Sequence, residues 1–345
     1  MQHVSAGNGT FDVVVIGGGP AGENAAQYAI QNSDRTAAIV EAELVGGECS
    51  YWACMPSKAL LRPVEVLDGA RALPGVSAML TGELDLPAVL ERRDTFTHNH
   101  DDSSQVEWAR DNGIEVIRGH GRLAGEKAVE VSADDGTTRA LRALHAVVIA
   151  TGTKASIPPI DGLRQAHPWT SRDVTNLREV PARVAVIGGG VVACESTTWL
   201  AGLGAREITV IEPEPSLLAQ QEPFVGKLMA EQFSRRGIRV LVGTGVDSVQ
   251  RPDARDTGVG RIHGGPATVH AGGSSLEVDE IVVAAGRTPA TADLGLERIG
   301  IDVSESHGSL ETDEHMTVQG VAGDWLYAVG DVAGRALLTH MGKYQ

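Results

Sequence analysis

Short apolar runs that end near glycine recur along the 345-residue chain and predict buried strands. Residues 11–16 (FDVVVI) and 183–187 (RVAVI) each lead into three glycines and then into a helical pattern. Further apolar runs at 145–150, 280–285 and 325–329 are each followed by glycine beside a polar residue. Strands of parallel sheets are covered on both faces and therefore read as continuous apolar runs. The pattern predicts an α/β protein whose ligand-facing turns lie at the carboxyl ends of its strands.

Other stretches follow different patterns. Residues 74–104 are predicted to be helical and solvated, whereas 113–131 and 253–276 read as hairpin or meander strands with glycine-rich turns. Residues 158–162 (PPIDG) resemble a crossover between two halves of the chain.

The strand–glycine–helix pattern occurs twice in one register. Gly17 and Gly188 are 171 positions apart, and so are Glu41 and Glu212, which end the next strand of each copy. In a Gly-x-Gly-x-x-Gly turn the first glycine makes the tight turn, the second admits a pyrophosphate and the third allows helix–strand packing, while the acid bonds a ribose. We therefore predict an internal duplication with two dinucleotide sites, and Ala193 can replace the third glycine because that position serves packing. The candidate residues are Gly17, Gly19, Pro20, Ala21, Gly22 and Glu41 in the first copy and Gly188, Gly190, Ala193 and Glu212 in the second.

Two of the three cysteines, Cys49 and Cys54, lie five positions apart between a glycine pair and Pro56. On a regular helix their Cα atoms would be roughly 8 to 9 Å apart, beyond the roughly 7 Å limit for a disulfide. A bridge would therefore need a distorted turn, with the regular helix running from Pro56 to about Ala70. A short strained bridge suits redox exchange. Two buried structural thiols or a metal site are the alternatives, but no further ligands follow at metal-binding spacing, so we expect no metal site.

Composition excludes several classes of protein. The net charge of −16 argues against nucleic acid or an anionic membrane as partner. The apolar runs are too short to cross a membrane, and residues 1–9 lack the features of a secretion signal. Three cysteines do not make a disulfide scaffold, so a cytoplasmic location is expected.

These residues together resemble the flavoprotein pyridine nucleotide–disulfide oxidoreductases, the family of dihydrolipoamide dehydrogenase, glutathione reductase and mercuric reductase. The resemblance covers nearly all of residues 11–345, and its most specific motif is Gly-Gly-x-Cys-x4-Cys-x-Pro-Ser-Lys at residues 46–58. The amino-terminal position of that motif differs from the small thioredoxin reductases, whose cysteine pair lies in the nicotinamide domain.

The resemblance implies two Rossmann-like dinucleotide-binding domains, with the FAD domain discontinuous. The expected boundaries are 10–156 for the first part of the FAD domain, 157–285 for the NAD(P) domain and 286–345 for the second part of the FAD domain. It also implies that a helix begins near Thr339.

The resemblance further implies roles for single residues. Cys54 is the expected flavin-proximal thiol, Cys49 the interchange thiol, and Lys58 pairs with Glu195. Glu41 is expected on the adenosine ribose of FAD and Asp331 on its ribityl chain. The remaining residues carried over as cofactor-binding are Gly47, Thr151, Gly152, Gly286, Arg287 and Gly330.

The implied function is electron transfer between NAD(P)H, FAD and a Cys49–Cys54 disulfide, with a small disulfide or dithiol as substrate, as in dihydrolipoamide dehydrogenase. Glu212 favours NAD over NADP, because a carboxylate repels the 2′-phosphate. The alternatives are a mercuric-ion, quinone or general disulfide reductase, or a truncated FAD- and NAD-binding module without turnover.

The family pattern breaks at the carboxyl terminus. Family members are homodimers with a third, interface domain that supplies a catalytic His–Glu pair, and we expect that domain to be absent because the sequence ends at Gln345. A similar His-Pro stretch at residues 167–173 is read as linker.

Overall fold

A computed structural model describes residues 9–345, so residues 1–8, on which most of the secretion-signal prediction rests, lie outside the described part. The chain forms two compact units. Unit 1 comprises the chain up to Tyr51, His100–Lys154 and Arg287–Gln345, and unit 2 comprises Trp52–Asn99 and Ala155–Gly286.

The elements are numbered in chain order. The strands are β1 (Thr10–Ile16), β2 (Ala37–Glu41), β3 (Ile114–Arg118), β4 (His120–Gly125), β5 (Ala128–Ser132), β6 (Thr138–Ile149), β7 (Thr153–Ala155), β8 (Arg183–Ile187), β9 (Glu207–Glu212), β10 (Arg239–Val242), β11 (Val246–Gln250), β12 (Ala267–Ala271), β13 (Ser274–Val278), β14 (Glu280–Val283), β15 (Arg287–Pro289) and β16 (Leu326–Ala328). The α-helices are α1 (Pro20–Ile30), α2 (Gly47–Tyr51), α3 (Cys54–Ala72), α4 (Leu86–Phe96), α5 (Ser103–Asp111), α6 (Ser171–Thr175), α7 (Val191–Gly202), α8 (Pro223–Arg235) and α9 (Thr339–Tyr344). Single 3-10 turns occupy Ser77–Met79, His98–His100, Leu296–Ile299 and Gly330–Ala333.

Unit 1 is built on a mixed sheet in the order β3-β2-β1-β6-β5-β4, with β16 also paired to β6. The pairs β1–β2, β1–β6, β2–β3 and β6–β16 are parallel, whereas β4–β5 and β5–β6 are antiparallel. Along β1, Val14 and Ile16 join one apolar cluster and Val13 and Val15 join another. Alternate residues of a strand point to opposite faces, so both faces of β1 are buried, which explains its unbroken apolar run.

Unit 2 contains a parallel sheet of order β10-β9-β8-β14, and both faces of its strand β8 are also buried. Val184 and Val186 join one cluster and Ala185 and Ile187 the other. A separate antiparallel sheet has the order β11-β12-β13. The predicted fold class, α/β with two Rossmann-like units and a discontinuous first unit, is confirmed.

Three local predictions need comment. The stretch 113–131 contains the antiparallel pair β4–β5, but β3 within it is a parallel edge strand beside β2, so its prediction as hairpin or meander was wrong there. Residues 253–265 form a loop closed by a bridge between Ala254 and Gly264, and regular strand begins only at β12. The helix expected near Thr339 begins at that residue.

Residues 52–99, which the sequence places in the first domain, group with unit 2. The reason is apolar packing: Leu60 and Val64 of α3 share a cluster with Trp199 and Leu200 of α7. Close approach of the helices is possible because α7 carries Gly202, whose added Cβ would lie 2.5 Å from Val64. No helix in the described part of the chain is long and apolar enough to cross a membrane.

Candidate nucleotide-binding loops and cysteine motif

The loop between β1 and α1 has the backbone that its glycines predict. Gly17 has φ 106°, and a Cβ there would lie 2.4 Å from the Ala150 carbonyl oxygen. A Cβ on Gly22 would lie 1.9 Å from the Gly17 oxygen, so this position also excludes larger residues. Gly19, by contrast, has no atom within 4 Å of its Cβ position. The loop is therefore packed on its inner side and open at Gly19, at the start of a helix, which is a geometry that receives a phosphate.

Glu41 lies at the carboxyl end of β2 and contacts the same loop. Its Oε2 accepts a hydrogen bond from the Gly18 amide at 2.6 Å, and its Oε1 accepts one from the Glu43 amide at 2.7 Å. Burial raises the pKa of the Glu41 carboxyl, while the two amide hydrogen bonds act to lower it. The carboxylate is thus oriented by the backbone at the position that the motif assigns to a ribose-binding acid.

The cysteine motif is packed directly on this loop. The Gly46 amide donates to the Gly18 carbonyl at 2.8 Å, and a Cβ on Gly47 would lie 2.8 Å from the Gly19 Cα. Both glycines have positive φ, 108° and 56°, so their backbone path favours glycine. Helix α2 begins at Gly47 and carries the partly buried Cys49.

As the cysteine spacing predicts, no single regular helix runs through both cysteines. Helix α2 ends at Tyr51, Ala53 has φ −132° and ψ −92°, and α3 begins at Cys54. Helix α3 starts two residues before the predicted Pro56, which lies in its first turn.

Further predicted residues of unit 1 lie at strand ends. The Thr151 hydroxyl donates to the Ala290 carbonyl at 3.0 Å. Gly152 has φ 66° and open space at its Cβ position. Gly330 has φ 76°, and its Cβ would lie 3.1 Å from that of Ala21.

Asp331 and Arg287 are joined through Thr153, a residue that sequence reasoning missed. The Thr153 hydroxyl donates to Asp331 Oδ2 at 2.9 Å. Arg287 Nε donates to the Thr153 hydroxyl at 2.5 Å, and its Nη2 donates to the Thr153 carbonyl at 2.6 Å. The same Nη2 lies 3.7 Å from Glu48 Oε2, which forms an ion pair. Only the position of Thr153 just after Thr151-Gly152 could have pointed to it.

The loop of unit 2 matches that of unit 1 at its first and second glycines and at its acid. Gly188 has φ 111°, and its Cβ would lie 2.4 Å from the Ala284 oxygen, while the Cβ position of Gly190 is open. Glu212 Oε1 accepts from the Glu214 amide at 2.8 Å, as Glu41 does from Glu43. Ala193 is fully buried. Gly286 has φ 110° and open space at its Cβ position.

These glycines test the fit of dinucleotides to the two loops. In each unit a side chain at the first glycine would strike a carbonyl oxygen just past the end of the neighbouring strand, whereas the second glycine faces open space. The residues present therefore fit a pyrophosphate in each unit.

Lys58 and Glu195 meet in unit 2. Lys58 Nζ on α3 lies 2.7 and 2.8 Å from the two carboxylate oxygens of Glu195 on α7. It also donates to the Ser57 hydroxyl at 3.3 Å. The lysine side chain is 61% exposed and the glutamate 27%, so the pair contributes little stability, of the order of 0–1 kcal/mol.

Trp52 lies between the two cysteines in sequence and contacts helix α6. The sequence did not predict this contact. The Thr175 hydroxyl donates to the Trp52 carbonyl at 2.9 Å, and the Arg172 guanidinium lies 4.2 Å from its ring centroid. The fully buried Arg93 supports Thr175 by donating to its carbonyl at 2.9 Å.

The third cysteine differs in environment. Cys194 is buried in α7, and burial, with Glu212 and Glu195 nearby, raises the pKa of its thiol to about 12. Such a thiol is inert at neutral pH. In residues 9–345 no group of three or more His, Cys, Asp or Glu side chains is arranged to hold a metal ion.

Comparison with known proteins identifies relatives along most of the chain. Residues 11–345 match the family described as pyridine nucleotide-disulphide oxidoreductase. A dihydrolipoyl dehydrogenase from Chlamydia muridarum is 33% identical over 341 residues, covering 98% of this chain and 69% of the relative. A mercuric reductase from Streptomyces lividans is 31% identical over 325 residues, covering 93% of this chain and 65% of the relative.

Solved structures share the fold. The HOCl-induced flavoprotein disulfide reductase RclA from Escherichia coli matches with a TM-score of 0.81 at 23% identity, covering 96% of this chain and 68% of that one. LpdA from Mycobacterium tuberculosis matches with a TM-score of 0.80 at 24% identity, covering 96% and 70%.

The family match and the relatives agree with the motif-based interpretation. Cofactor use follows from the family: FAD and a pyridine nucleotide. The chain therefore belongs to the pyridine nucleotide-disulphide oxidoreductase family and is a flavoprotein oxidoreductase.

Proposed function

We propose that the protein exchanges electron pairs between NAD(H) and a small dithiol or disulfide of the dihydrolipoyl class, through FAD and a Cys49–Cys54 disulfide. The observation that carries this proposal is the packing of the cysteine motif on the first nucleotide loop, through Gly46 and Gly47. The dihydrolipoyl dehydrogenase from Chlamydia muridarum supports the substrate class.

In this proposal Cys49 and Cys54 reduce the substrate in two thiol–disulfide exchange steps. The Cys49 thiolate attacks one sulfur of the substrate disulfide, forming a mixed disulfide and releasing one substrate thiol. Cys54 then attacks the Cys49 sulfur, which releases the second substrate thiol and closes the Cys49–Cys54 disulfide. The substrate gains two electrons and two protons. Bound FAD supplies the two-electron carrier between the pyridine nucleotide and the cysteine pair. The reverse sequence oxidises a dithiol and yields NADH and a proton.

Lys58 is proposed to supply a fixed cation for negative charge that develops during reduction. Glu195 orients its ammonium through the contacts at 2.7 and 2.8 Å. Because the pair contributes little stability, replacing Lys58 should lower turnover more than it lowers the melting temperature.

NAD is proposed as the preferred nicotinamide cofactor. The Glu212 carboxylate lies at the end of β9 and is oriented by the Glu214 amide at 2.8 Å. A carboxylate there bonds a 2′-hydroxyl and repels a 2′-phosphate. The next basic residue in the sequence is Lys227. A higher kcat/KM for NADPH than for NADH would refute this preference. In Glu212→Gln the values of kcat/KM for NADH and NADPH should lie closer together than in the unmodified protein.

The cofactor-binding residues remain proposals. FAD is assigned to Gly17, Gly19, Pro20, Ala21, Gly22, Glu41, Gly47, Thr151, Gly152, Gly330 and Asp331, and the pyridine nucleotide to Gly188, Gly190, Ala193, Glu212 and Gly286. Arg287 is also proposed at the cofactor site, where its hydrogen bonds to Thr153 orient its guanidinium.

Anaerobic titration with NADH tests the proposal. We expect loss of the oxidised flavin absorbance in the unmodified protein and in Cys49→Ser and Cys54→Ser. Thiol release from lipoamide disulfide should occur only in the unmodified protein. Turnover of lipoamide by either serine variant would refute the cysteine assignment. Cys194→Ser is the matched control, since its buried thiol is outside the motif.

The mercuric reductase relative from Streptomyces lividans supplies a second candidate acceptor. NADH oxidation that is stimulated by Hg²⁺ and not by lipoamide would favour it.

A further inference from the structure

Glu48 places a carboxylate directly before Cys49. Neighbouring Cα atoms are about 3.8 Å apart, so Glu48 and Cys49 adjoin each other on α2, where charges separated by about a Debye length of 8 Å or less still interact at physiological salt. Thiolate formation at Cys49 puts a second negative charge beside it. An unbalanced carboxylate here would disfavour the reduced, thiolate-bearing state of the cysteine pair.

The structure balances this carboxylate with Arg287. The distance between Arg287 Nη2 and Glu48 Oε2 is 3.7 Å, and the two side chains are only 23% and 29% exposed. A partly buried pair is screened less by salt than a surface pair. The ion pair joins positions 239 residues apart in sequence, so it exists only in the folded unit.

Arg287 is itself held in place from the other side. Its Nε and Nη2 both bond Thr153, and Thr153 bonds Asp331. The orientation of the guanidinium is therefore fixed by Thr153, which also holds the Asp331 carboxylate.

We propose that Arg287 and Glu48 are positioning residues that set the redox potential of the Cys49–Cys54 couple, with Arg287 neutralising the carboxylate beside Cys49. The inference rests on the proposed function, since it needs Cys49 and Cys54 to form a redox couple. When the disulfide is reduced to one thiol and one thiolate, the couple takes up two electrons and one proton.

The sign of each change follows from charge. Arg287→Gln removes the cation beside the Glu48 carboxylate, destabilises the thiolate and lowers the potential. Glu48→Gln leaves the cation in excess, stabilises the thiolate and raises the potential. The double variant restores neutrality and returns the potential close to its starting value. Each single shift should be roughly three- to tenfold in the equilibrium constant, or about 15–30 mV for a two-electron couple.

The experiment equilibrates the FAD-loaded protein in dithiol–disulfide buffers of known potential at pH 7.5. Alkylation followed by mass spectrometry then gives the reduced fraction of Cys49 and Cys54. The variants are Glu48→Gln, Arg287→Gln, Arg287→Lys and the double variant, and Arg287→Lys should stay near the unmodified value because it keeps the charge. Glu115→Gln is the matched control: it removes a carboxylate from another ion pair of unit 1, with Arg139 at 3.3 Å, and should not shift the potential.

We expect the redox potential of the Cys49–Cys54 couple to fall in Arg287→Gln and to rise in Glu48→Gln. Disruption of the fold would shift both in the same direction, so equal signs, or no shift in Glu48→Gln, would overturn the inference. If Arg287→Gln does not retain FAD, the upward shift in Glu48→Gln alone decides it. A Cys49–Cys54 disulfide that never forms in the unmodified protein would instead defeat the proposed function itself.

Discussion

Gly17 and Gly19 lie two positions apart, but a side chain would clash at Gly17 and would have room at Gly19. Gly17 is closed in by the Ala150 carbonyl, whereas Gly19 faces open space. One glycine therefore serves the fold and the other keeps room for a ligand.

A pair of alanine substitutions separates these roles. Gly17→Ala introduces a Cβ 2.4 Å from a carbonyl oxygen at φ 106°, and we expect a loss of about 1–3 kcal/mol of unfolding free energy. Gly19→Ala should leave stability within about 0.5 kcal/mol and reduce FAD retention. Urea unfolding and the FAD-to-protein absorbance ratio are the measurements. Equal loss of stability in both variants would contradict this assignment.

Glu23 in the first turn of α1 gives a pH-dependent prediction. Burial raises the pKa of its carboxyl from 4.5 to about 7, with Lys343 acting to lower it and Glu41 to raise it. Between about pH 4.5 and 7 the Glu23 carboxyl is therefore protonated in the folded protein and ionised in the unfolded chain, and this bound proton favours folding. This contribution to stability is complete below pH 4.5 and is lost as the pH rises through about 7.

Glu23→Gln mimics the neutral acid and should remove this loss. We expect the cofactor-free variant to match the unmodified protein near pH 4.5 and to exceed its stability by about 3 kcal/mol at pH 8. Thermal unfolding across this range measures the difference. A variant that is less stable at pH 8 would show that the carboxylate is instead stabilised in the fold.

At the scale of elements, a fully buried arginine joins α4 to the segment that follows α6. Arg93 Nη1 donates to the carbonyls of Thr175 and Leu177 at 2.9 and 3.1 Å, and its Nε donates to Asp94 at 2.7 Å. Thr175 in turn holds Trp52. A helix remote from the cysteines in sequence thus fixes the backbone just before Cys54.

Arg93→Met should cost about 2–4 kcal/mol, because it leaves two buried carbonyls without this donor. Urea unfolding measures that loss. Arg92→Met is the control: its side chain is exposed and lies 4.4 Å over the Phe96 ring, so its loss should cost less than about 1 kcal/mol. Similar costs for the two variants would remove Arg93 from this role.

Strands and nucleotide loops could be predicted because their rules are local. An apolar run followed by Gly-x-Gly-x-x-Gly needs no distant information, and β1 and β8 appear where the sequence places them. The apolar run of β3 is equally local, but its partner is not: whether it pairs with β2 or β4 depends on contacts that alternation alone does not encode.

Side-chain networks could not be predicted for a similar reason. Thr153 and Arg287 are 134 positions apart, and Trp52 and Thr175 are 123 apart. No periodicity links such residues, and none of them belongs to a motif that requires its partner. The Lys58–Glu195 pair was expected only through the family resemblance, and the structure places the two side chains in contact.

At the scale of the whole molecule, the net charge of −16 opposes the approach of anionic ligands. NADH carries negative phosphates, so long-range repulsion should slow its association, and salt should screen that repulsion. We expect kcat/KM for NADH to rise about two- to fivefold between 10 and 150 mM salt. Stopped-flow flavin reduction measures it, and a neutral dithiol substrate is the control, with a flat profile. A kcat/KM for NADH that falls as salt is added would instead indicate that local attraction to NADH outweighs the repulsion by the net charge.

The duplicated loops give the molecule an internal reference. Every position in one loop has a twin 171 residues away, on the same backbone turn but among different neighbours. Gly22 and Ala193 are one such matched pair. A methyl group at Gly22 would lie 1.9 Å from the Gly17 oxygen, whereas the methyl group of Ala193 is accommodated in the buried core of the second loop. Substitutions made in matched pairs would therefore separate what the turn itself demands from what each cofactor demands, within one polypeptide and one sample.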